Sequence, residues 1–303
     1  MSPPPEPPGG RARVGYLGPE GTFSEEALLQ SATEDGVEPV ALPTIFDTVM
    51  ALRSGSVRFA IVPIENSLEG SINVTLDLLA GEASDVKIVG EALLRVRHSL
   101  IAAEMIDLEE IETVLTHPQV PGQCTRLLRG ELAHARVLPA ASTAEAVRSV
   151  VDGRDPRRAA LGTVLAAEIY GGRVIREGVE DREDNETRFV WLARTADQLM
   201  PPLRRGPGGE GKTSLVFWGP GAERPGWLLR CLEEFARREI NLTRIESRPR
   251  REGMGSYMFF VDLRGSGREA RVREAVAGLG ELCEAVLELG SYPAASRAPS
   301  SIA

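Results

Sequence analysis

Cysteine, histidine and lysine are all scarce in this 303-residue chain. Three cysteines, at 124, 231 and 283, are too few and too scattered for a disulfide framework or a Cys-x-x-Cys zinc site. Only His98, His117 and His134 accompany them, so no metal-ligand cluster can be drawn and no metal is expected. Two of the 35 basic residues are lysines, Lys87 and Lys212, a bias read as genomic base composition and given no functional weight. No apolar run approaches the roughly 18–20 residues of a membrane span. Residues 1–10, rich in proline and glycine, lack the apolar centre of a signal peptide. A soluble, cytoplasmic protein with no membrane partner is expected. Positive charge is also short, with 35 basic against 44 acidic side chains and a net charge of −9. Residues 1–211 carry net −11 and residues 212–293 net +1. Neither part holds a basic stripe, which excludes nucleic acid as the expected partner.

What is present is ordinary globular material, 42% hydrophobic and 26% charged. At about 100–200 residues per domain the length predicts two domains. Residues 1–10 and 294–303 read as disordered tails, and the Pro/Gly-rich stretch 198–211 as a linker. The body, 11–197, alternates strand and helix patterns: strands at 14–17, 37–42, 58–64, 113–115, 136–138, 159–161 and 188–193. Helices are expected at 22–31, 44–53, 72–79, 119–132, 143–151 and 164–170, with one or two strands in the apolar stretch 86–101. Such alternation predicts an α/β body with helices on both sheet faces. The remainder, 212–293, reads strand 214–218, helix 227–238, strands 242–248 and 256–263, helix 269–279 and strand 286–289. That βαββαβ order is ferredoxin-like.

In open α/β sheets ligands sit beyond the carboxyl ends of strands, where helix N-termini offer free amides. Five polar tracts stand at such places. Gly18-Pro-Glu-Gly-Thr-Phe-Ser24 follows the first strand, with Thr22 and Ser24 as hydroxyl donors; by itself it also describes a tight turn with a helix cap. Pro63-Ile-Glu-Asn-Ser-Leu-Glu-Gly-Ser71 crowds Glu65, Asn66, Ser67 and Ser71 at a strand end. Thr116-His-Pro-Gln-Val-Pro-Gly-Gln-Cys124 brings His117 and Gln123, although a lone cap histidine is more often structural. Ala141-Ser-Thr-Ala144 adds Ser142 and Thr143. Asp181-Arg-Glu-Asp-Asn-Glu-Thr-Arg-Phe189 is a dense charged loop that enters the last strand through Thr187, Arg188 and Phe189. Spacing alone leads to a small-anion site built from convergent loops.

Taken in order, these five tracts resemble prephenate dehydratases, and Asn241-Leu-Thr-Arg-Ile-Glu-Ser-Arg-Pro249 resembles the Glu-Ser-Arg-Pro motif of that family's ACT regulatory domain. The resemblance spans about 13–292 and includes no chorismate mutase-like segment, so the monofunctional type is expected. It implies a bilobal body of type II periplasmic-binding-protein form, lobe one being 11–86 plus 180–197 and lobe two 87–179, with an ACT domain at 212–293. It implies dehydration with decarboxylation of prephenate to phenylpyruvate, a dicarboxylate substrate, and no cofactor. Thr187 is then the leading catalytic residue and Arg188 the carboxylate partner, with pairing of Arg188 to a nearby acid as the rival. Thr22, Ser24, Asn66, Ser67, Ser71, His117, Gln123, Ser142, Thr143 and Phe189 are the expected substrate contacts. Glu65 is awkward beside a dianion and is left between scaffold and proton carrier.

The resemblance also implies L-phenylalanine as effector and a homodimer or homotetramer. The effector contacts would be Gly226, Trp227, Leu228, Asn241, Leu242, Glu246, Ser247, Arg248 and Pro249. Trp227 stands where the family carries a small residue, and either narrows the effector pocket or packs at a helix start. Arogenate dehydratase, with an amino acid in place of the keto acid, is the nearest alternative. A non-catalytic amino-acid sensor is the second, set against the Thr187-Arg-Phe189 run. A periplasmic solute-binding protein is the third, disfavoured by the N-terminal composition.

Overall fold

The computed structural model describes residues 11–33, 36–153, 155–195, 201–204, 210–219, 224–251, 253 and 255–295. The expected tails at 1–10 and 296–303 lie outside the described residues. Ala294 and Ala295, placed in the C-terminal tail, instead bond to Glu210 O and the Glu91 carboxylate, each at 2.9 Å.

The first sheet opens with β1 (Ala12–Leu17), followed by α1 (Phe23–Ser31), β2 (Val37–Leu42), α2 (Ile45–Ser54), β3 (Phe59–Asn66), β4 (Gly70–Ser71) and α3 (Asn73–Ala80). Then come β5 (Val86–Arg95) and, starting the second sheet, β6 (Ser99–Ala102). The second lobe continues with β7 (Thr113–Thr116), α4 (Thr125–Arg129), β8 (Arg136–Pro139), α5 (Thr143–Gly153), β9 (Arg158–Gly162), α6 (Val164–Tyr170) and β10 (Arg173–Arg176). The chain returns to the first sheet as β11 (Glu186–Arg194). The first sheet runs β2-β1-β3-β11-β5 and the second β10-β6-β9-β7-β8. β11 lies antiparallel between β3 and β5, the arrangement of a type II bilobal body. Because β5 pairs with β11, the first crossing between lobes falls after Arg95, not at 86/87 as expected. A ten-residue strand with alternating burial belongs to the sheet that pairs it, whatever the apolar run around it suggests.

The helix expected over 119–132 also fails. Pro121 and Gly122 confine the start to a single 3₁₀ turn, Val120–Gly122, and the α-helix begins only at Thr125. Asp181 caps it from the charged loop, accepting from the amides of Thr125 and Arg126 at 2.7 and 2.9 Å.

The C-terminal unit comprises β12 (Gly211–Trp218), α7 (Trp227–Ala236), β13 (Leu242–Pro249), β14 (Tyr257–Arg264), α8 (Ala270–Leu282) and β15 (Ala285–Pro293). Its all-antiparallel sheet runs β13-β14-β12-β15, the ferredoxin-like order. Trp227 is buried, donates to Leu282 O at 2.9 Å, and packs against Phe217 and Phe259. It is a core residue of this domain, packed at the start of α7. The sheet's other face lies on the body: Val216, Phe260, Leu289 and Tyr292 share one apolar cluster with Val62, Ile64, Ile88 and Val190. At Gly290 the contact is so close that a Cβ would sit 2.1 Å from Ile88 O. Both lysines serve this junction, Lys87 Nζ donating to Glu288 O and Lys212 Nζ to Glu91. Among the described residues no helix is long and apolar enough to cross a membrane.

Candidate active site

A cleft of about 880 Å³ opens between the lobes, lined by residues from all five polar tracts, the fifth contributing Asn185 and Thr187. From lobe one come Thr22 and Ser24 at the start of α1, and Asn66 and Glu69 beyond β3. Lobe two supplies His98, His117, Gln119 and Gln123, with Ser142, Thr143 and Glu145 at the start of α5. Both helix starts are capped: Thr22 Oγ1 accepts from the Glu25 amide at 3.4 Å, and Ser142 Oγ from the Glu145 amide at 3.0 Å. The caps leave the first-turn amides pointing past the helix ends, a favourable setting for anions. The lobes touch beside the cleft, where Thr163 Oγ1 and Tyr170 OH donate to Gly21 O and Glu20 O. Gly21 has φ +82°, and a Cβ there would lie 2.8 Å from the Ala166 Cα.

The floor is a chain of amides. Asn66 Oδ1 accepts from the turn amides of Leu68 and Glu69 at 2.9 and 3.0 Å, which fixes the orientation of its side chain. Its Nδ2 then donates to Asn185 Oδ1 and to Thr187 Oγ1, each at 2.9 Å. Asn185 Nδ2 donates to Gln123 Oε1 at 3.1 Å, and Gln123 Nε2 to Glu69 Oε1 at 3.0 Å. Since Thr187 Oγ1 accepts from Asn66, its own proton is left to donate, and no acceptor within the described residues takes it. The Thr187 hydroxyl is thereby presented to the cleft as a donor.

His98 was not expected here. It sits between β5 and β6, 1% exposed, with Nε2 3.0 Å from Gln123 Oε1. Because that oxygen already accepts from Asn185, the shared hydrogen bond requires His98 to carry its proton on Nε2. Nδ1 is buried without a partner among the described residues. Burial pushes the imidazole below its ordinary value of 6.5. The ring therefore stays neutral through neutral pH, and its NMR titration is expected below 6.5 in the folded protein; a midpoint above that value would contradict the dominance of burial at this ring. Nothing in sequence flagged it beyond a polar residue inside an apolar stretch at the crossing between lobes.

Four expected contacts lie elsewhere. Thr187 and Arg188 point to opposite faces of β11, as neighbours in a strand must. Thr187 stands opposite Asn66 and Arg188 opposite Glu65 in the register with β3. The Arg188 side chain is 8% exposed and turned to the C-terminal domain. It donates to Glu91 at 2.7 Å, to Asp262 at 2.5 Å and to Tyr292 OH at 2.8 Å. The rival reading of Arg188, pairing with acids, is the one observed. Glu65 shares that face, 3.6 Å from Arg188 and 3.7 Å from Arg244, so its carboxylate belongs to the scaffold. Ser71 bonds Glu246 and Arg244 at 2.8 and 2.7 Å, away from the cleft. Phe189 packs in the core with Tyr16, Leu28 and Trp191. Ser67 does not line the cleft but braces its floor, accepting from the Glu186 amide at 3.0 Å.

The expected effector residues divide as well. Gly226, Asn241, Ser247 and Pro249 are exposed, while Leu228 and Leu242 pack on the core of the C-terminal domain. Beyond the register shift at Leu242/Arg244, alternate side chains of β13 grip the body: Arg244 and Glu246 hold Ser71, and Arg248 binds Asp77 at 2.8 and 3.1 Å. No group of three or more metal-ligating side chains occurs among the described residues.

Residues 14–197 match the family model described as prephenate dehydratase. A prephenate dehydratase of Mycobacterium sp. (strain JLS) is 40% identical over 296 residues, covering 94% of this chain and 90% of that protein. Among solved structures, a prephenate dehydratase from Arthrobacter aurescens in complex with L-Phe has a TM-score of 0.83 at 34% identity, covering 96% of this chain and 93% of that one. GqqA, described as a novel type of quorum quenching acylase, has a TM-score of 0.80 at 27% identity, covering 93% of this chain and 98% of that one.

Proposed function

The chain belongs to the prephenate dehydratase family, and from that membership we propose that its cleft converts prephenate to phenylpyruvate with Thr187 as the hydroxyl donor to the departing oxygen. The observation that carries this reading is the Asn66 amide, which occupies the Thr187 oxygen as an acceptor and turns its proton outward. In the reaction the bond from the ring to its carboxylate breaks and releases carbon dioxide. The electron pair moves through the ring, and the bond to the opposite hydroxyl breaks as the ring becomes aromatic. The leaving oxygen departs as hydroxide, stabilised by a hydrogen bond from Thr187, and is neutralised to water by a proton from the buffered solvent. A threonine hydroxyl is too weak an acid to be deprotonated outright at neutral pH, so hydrogen bonding in a site sheltered from water is the easier role.

Among the described residues lining the cleft there is no arginine or lysine. The two substrate carboxylates would therefore meet the starts of α1 and α5, with Ser24 and Thr143 beside the free amides. Ser142, His117 and Gln123 complete the donors on the lobe-two side. An acidic protein can hold a dianion in this way because the helix termini act at close range while the net charge is screened over about 8–10 Å.

L-Phenylalanine is proposed as the effector of the C-terminal domain, read as an ACT domain. The Arthrobacter aurescens relative in complex with L-Phe and the exposed Gly226, Asn241, Ser247 and Pro249 support this. β13 is an edge strand, with Ile245 49% exposed, and supports pairing of two such domains in a dimer or tetramer. Incubation of the purified chain with prephenate, followed through phenylpyruvate absorbance with and without phenylalanine, tests the proposal. Product formation that phenylalanine suppresses is expected. Product indifferent to phenylalanine would remove the effector, and turnover of arogenate but not prephenate would move the substrate to the amino acid.

A further inference from the structure

Behind the cleft floor lies a buried charge cluster that the reaction itself does not use. Arg188 is its centre, and two of its three hydrogen-bond partners, Asp262 on β14 and Tyr292 on β15, belong to the C-terminal domain. Each is fixed in turn: Ser214 Oγ donates to Asp262 at 2.5 Å and lies 2.7 Å from Tyr292 OH. The third partner, Glu91 on β5, is also held by Lys212 Nζ at 2.7 Å. Two arginines, Arg188 and Arg244, converge on Glu65, which is paired through the β3–β11 ladder with Arg188 itself. The cluster thus spans three strands of the body and all four of the C-terminal sheet.

Buried ion networks rarely stabilise a fold better than apolar packing of the same volume, so their placement is more informative than their energy. Here the placement is one residue from Thr187. Adjacent Cα atoms are about 3.8 Å apart across a rigid peptide, so Arg188 cannot shift without moving its neighbour. The β3–β11 register shifts between Arg188 and Phe189, while the pairing of β11 with β5 runs unbroken from Glu186 to Trp191. To that backbone pairing the side-chain cluster adds a hold on the face opposite Thr187.

We propose that Arg188 is a positioning residue for Thr187, and that the C-terminal domain, through Asp262 and Tyr292, holds the catalytic hydroxyl in place on the cleft floor. The proposal rests on the reading of Thr187 as the hydroxyl donor. A donor displaced by about 1 Å can lose up to about 100-fold in rate, so modest loosening of the clamp should be visible in kcat.

The test is a double-mutant cycle in the full chain. Asp262→Asn keeps the shape of the partner and removes its charge; Tyr292→Phe removes the hydroxyl that meets Arg188 and Ser214, and no apolar surface. Each is measured alone and combined with Thr187→Ala, with thermal midpoints and circular dichroism as controls on folding. A fall in kcat of about 10-fold for Asp262→Asn and a smaller one for Tyr292→Phe are expected, with KM nearly unchanged. In the Thr187→Ala background neither should lower kcat further, because the group being positioned is gone. Equal factors in both backgrounds would make the cluster purely structural and overturn the proposal. So would unchanged kcat in both variants. If Asp262→Asn does not fold, Tyr292→Phe decides by the same comparison. Full turnover by Thr187→Ala alone would instead defeat the catalytic reading of Thr187, and the proposal with it.

Discussion

Replacing Thr187 with alanine should lower kcat by about 10²–10⁴-fold while leaving the fold and, to within a small factor, KM intact. The competing view is that Thr187 merely satisfies the Asn66 amide at the end of a strand. Magnitudes separate the two. The alanine variant still leaves Asn66 Nδ2 a partner in Asn185 Oδ1 at 2.9 Å, so the lost hydrogen bond costs the fold about 0.5–1.5 kcal/mol. A 100-fold rate loss corresponds to about 2.7 kcal/mol at the transition state. A structural threonine would therefore cost some stability and little rate, and a donor to the leaving oxygen would do the reverse. Serine at 187 keeps the hydroxyl and should recover most of the activity. Steady-state kinetics beside thermal melts decide it, and an alanine variant of undiminished kcat would remove Thr187 from the reaction.

Replacing Arg188 with methionine should destabilise the protein by about 3–5 kcal/mol at neutral pH, through the loss of the guanidinium bonded to Asp262. For a chain of this size such a loss lowers the melting temperature by on the order of 10 °C. Burial pushes the Asp262 carboxyl up, yet the Arg188 charge, the Ser214 hydroxyl and Arg244 together hold it below its ordinary value of 3.8. A carboxylate depressed in the folded state stabilises it above the unfolded value and ceases to do so as pH falls through the folded one. The intact protein thus keeps this contribution down to below pH 3.8. In the methionine variant burial acts on Asp262 without the guanidinium, and its carboxyl titrates higher than in the intact protein. The stability gap between the two proteins should accordingly be widest near neutrality and narrow on acidification. Melts at several pH values measure this. A gap independent of pH would mean that the cost is packing alone. A rise in KM with unchanged stability would return Arg188 to the substrate, as its sequence context first suggested.

That reversal shows how the two levels of information divide. Arg188 belongs to the most recognisable run in the chain, and composition offered no way to tell a substrate arginine from a structural one. The decision came from strand alternation combined with what each face meets, the cleft on one side and β14 and β15 on the other. Ser71 and Glu246 likewise sit in motif-bearing tracts and meet each other across the domain junction. Phe189 follows the same rule from the opposite direction, sharing the cleft-side face of β11 but falling inside the core.

The sequence by itself determined the α/β body, the βαββαβ unit and most helix starts, because apolar periodicity, caps and glycine or proline stops act within a few residues. It also pointed to the polar tracts at strand ends that line the cleft, since such loops offer hydroxyls, amides and helix N-termini. The tertiary structure alone decided that β5 belongs with the first sheet, that His98 enters the floor beside Gln123, and that Cys231 and Cys283 lie 3.8 Å apart as thiols. It alone showed both lysines at the junction of body and C-terminal domain. Each of these depends on contacts between residues far apart in the chain. Local propensity carries no record of such contacts; they are set by how sheets register and by which faces are left to be covered.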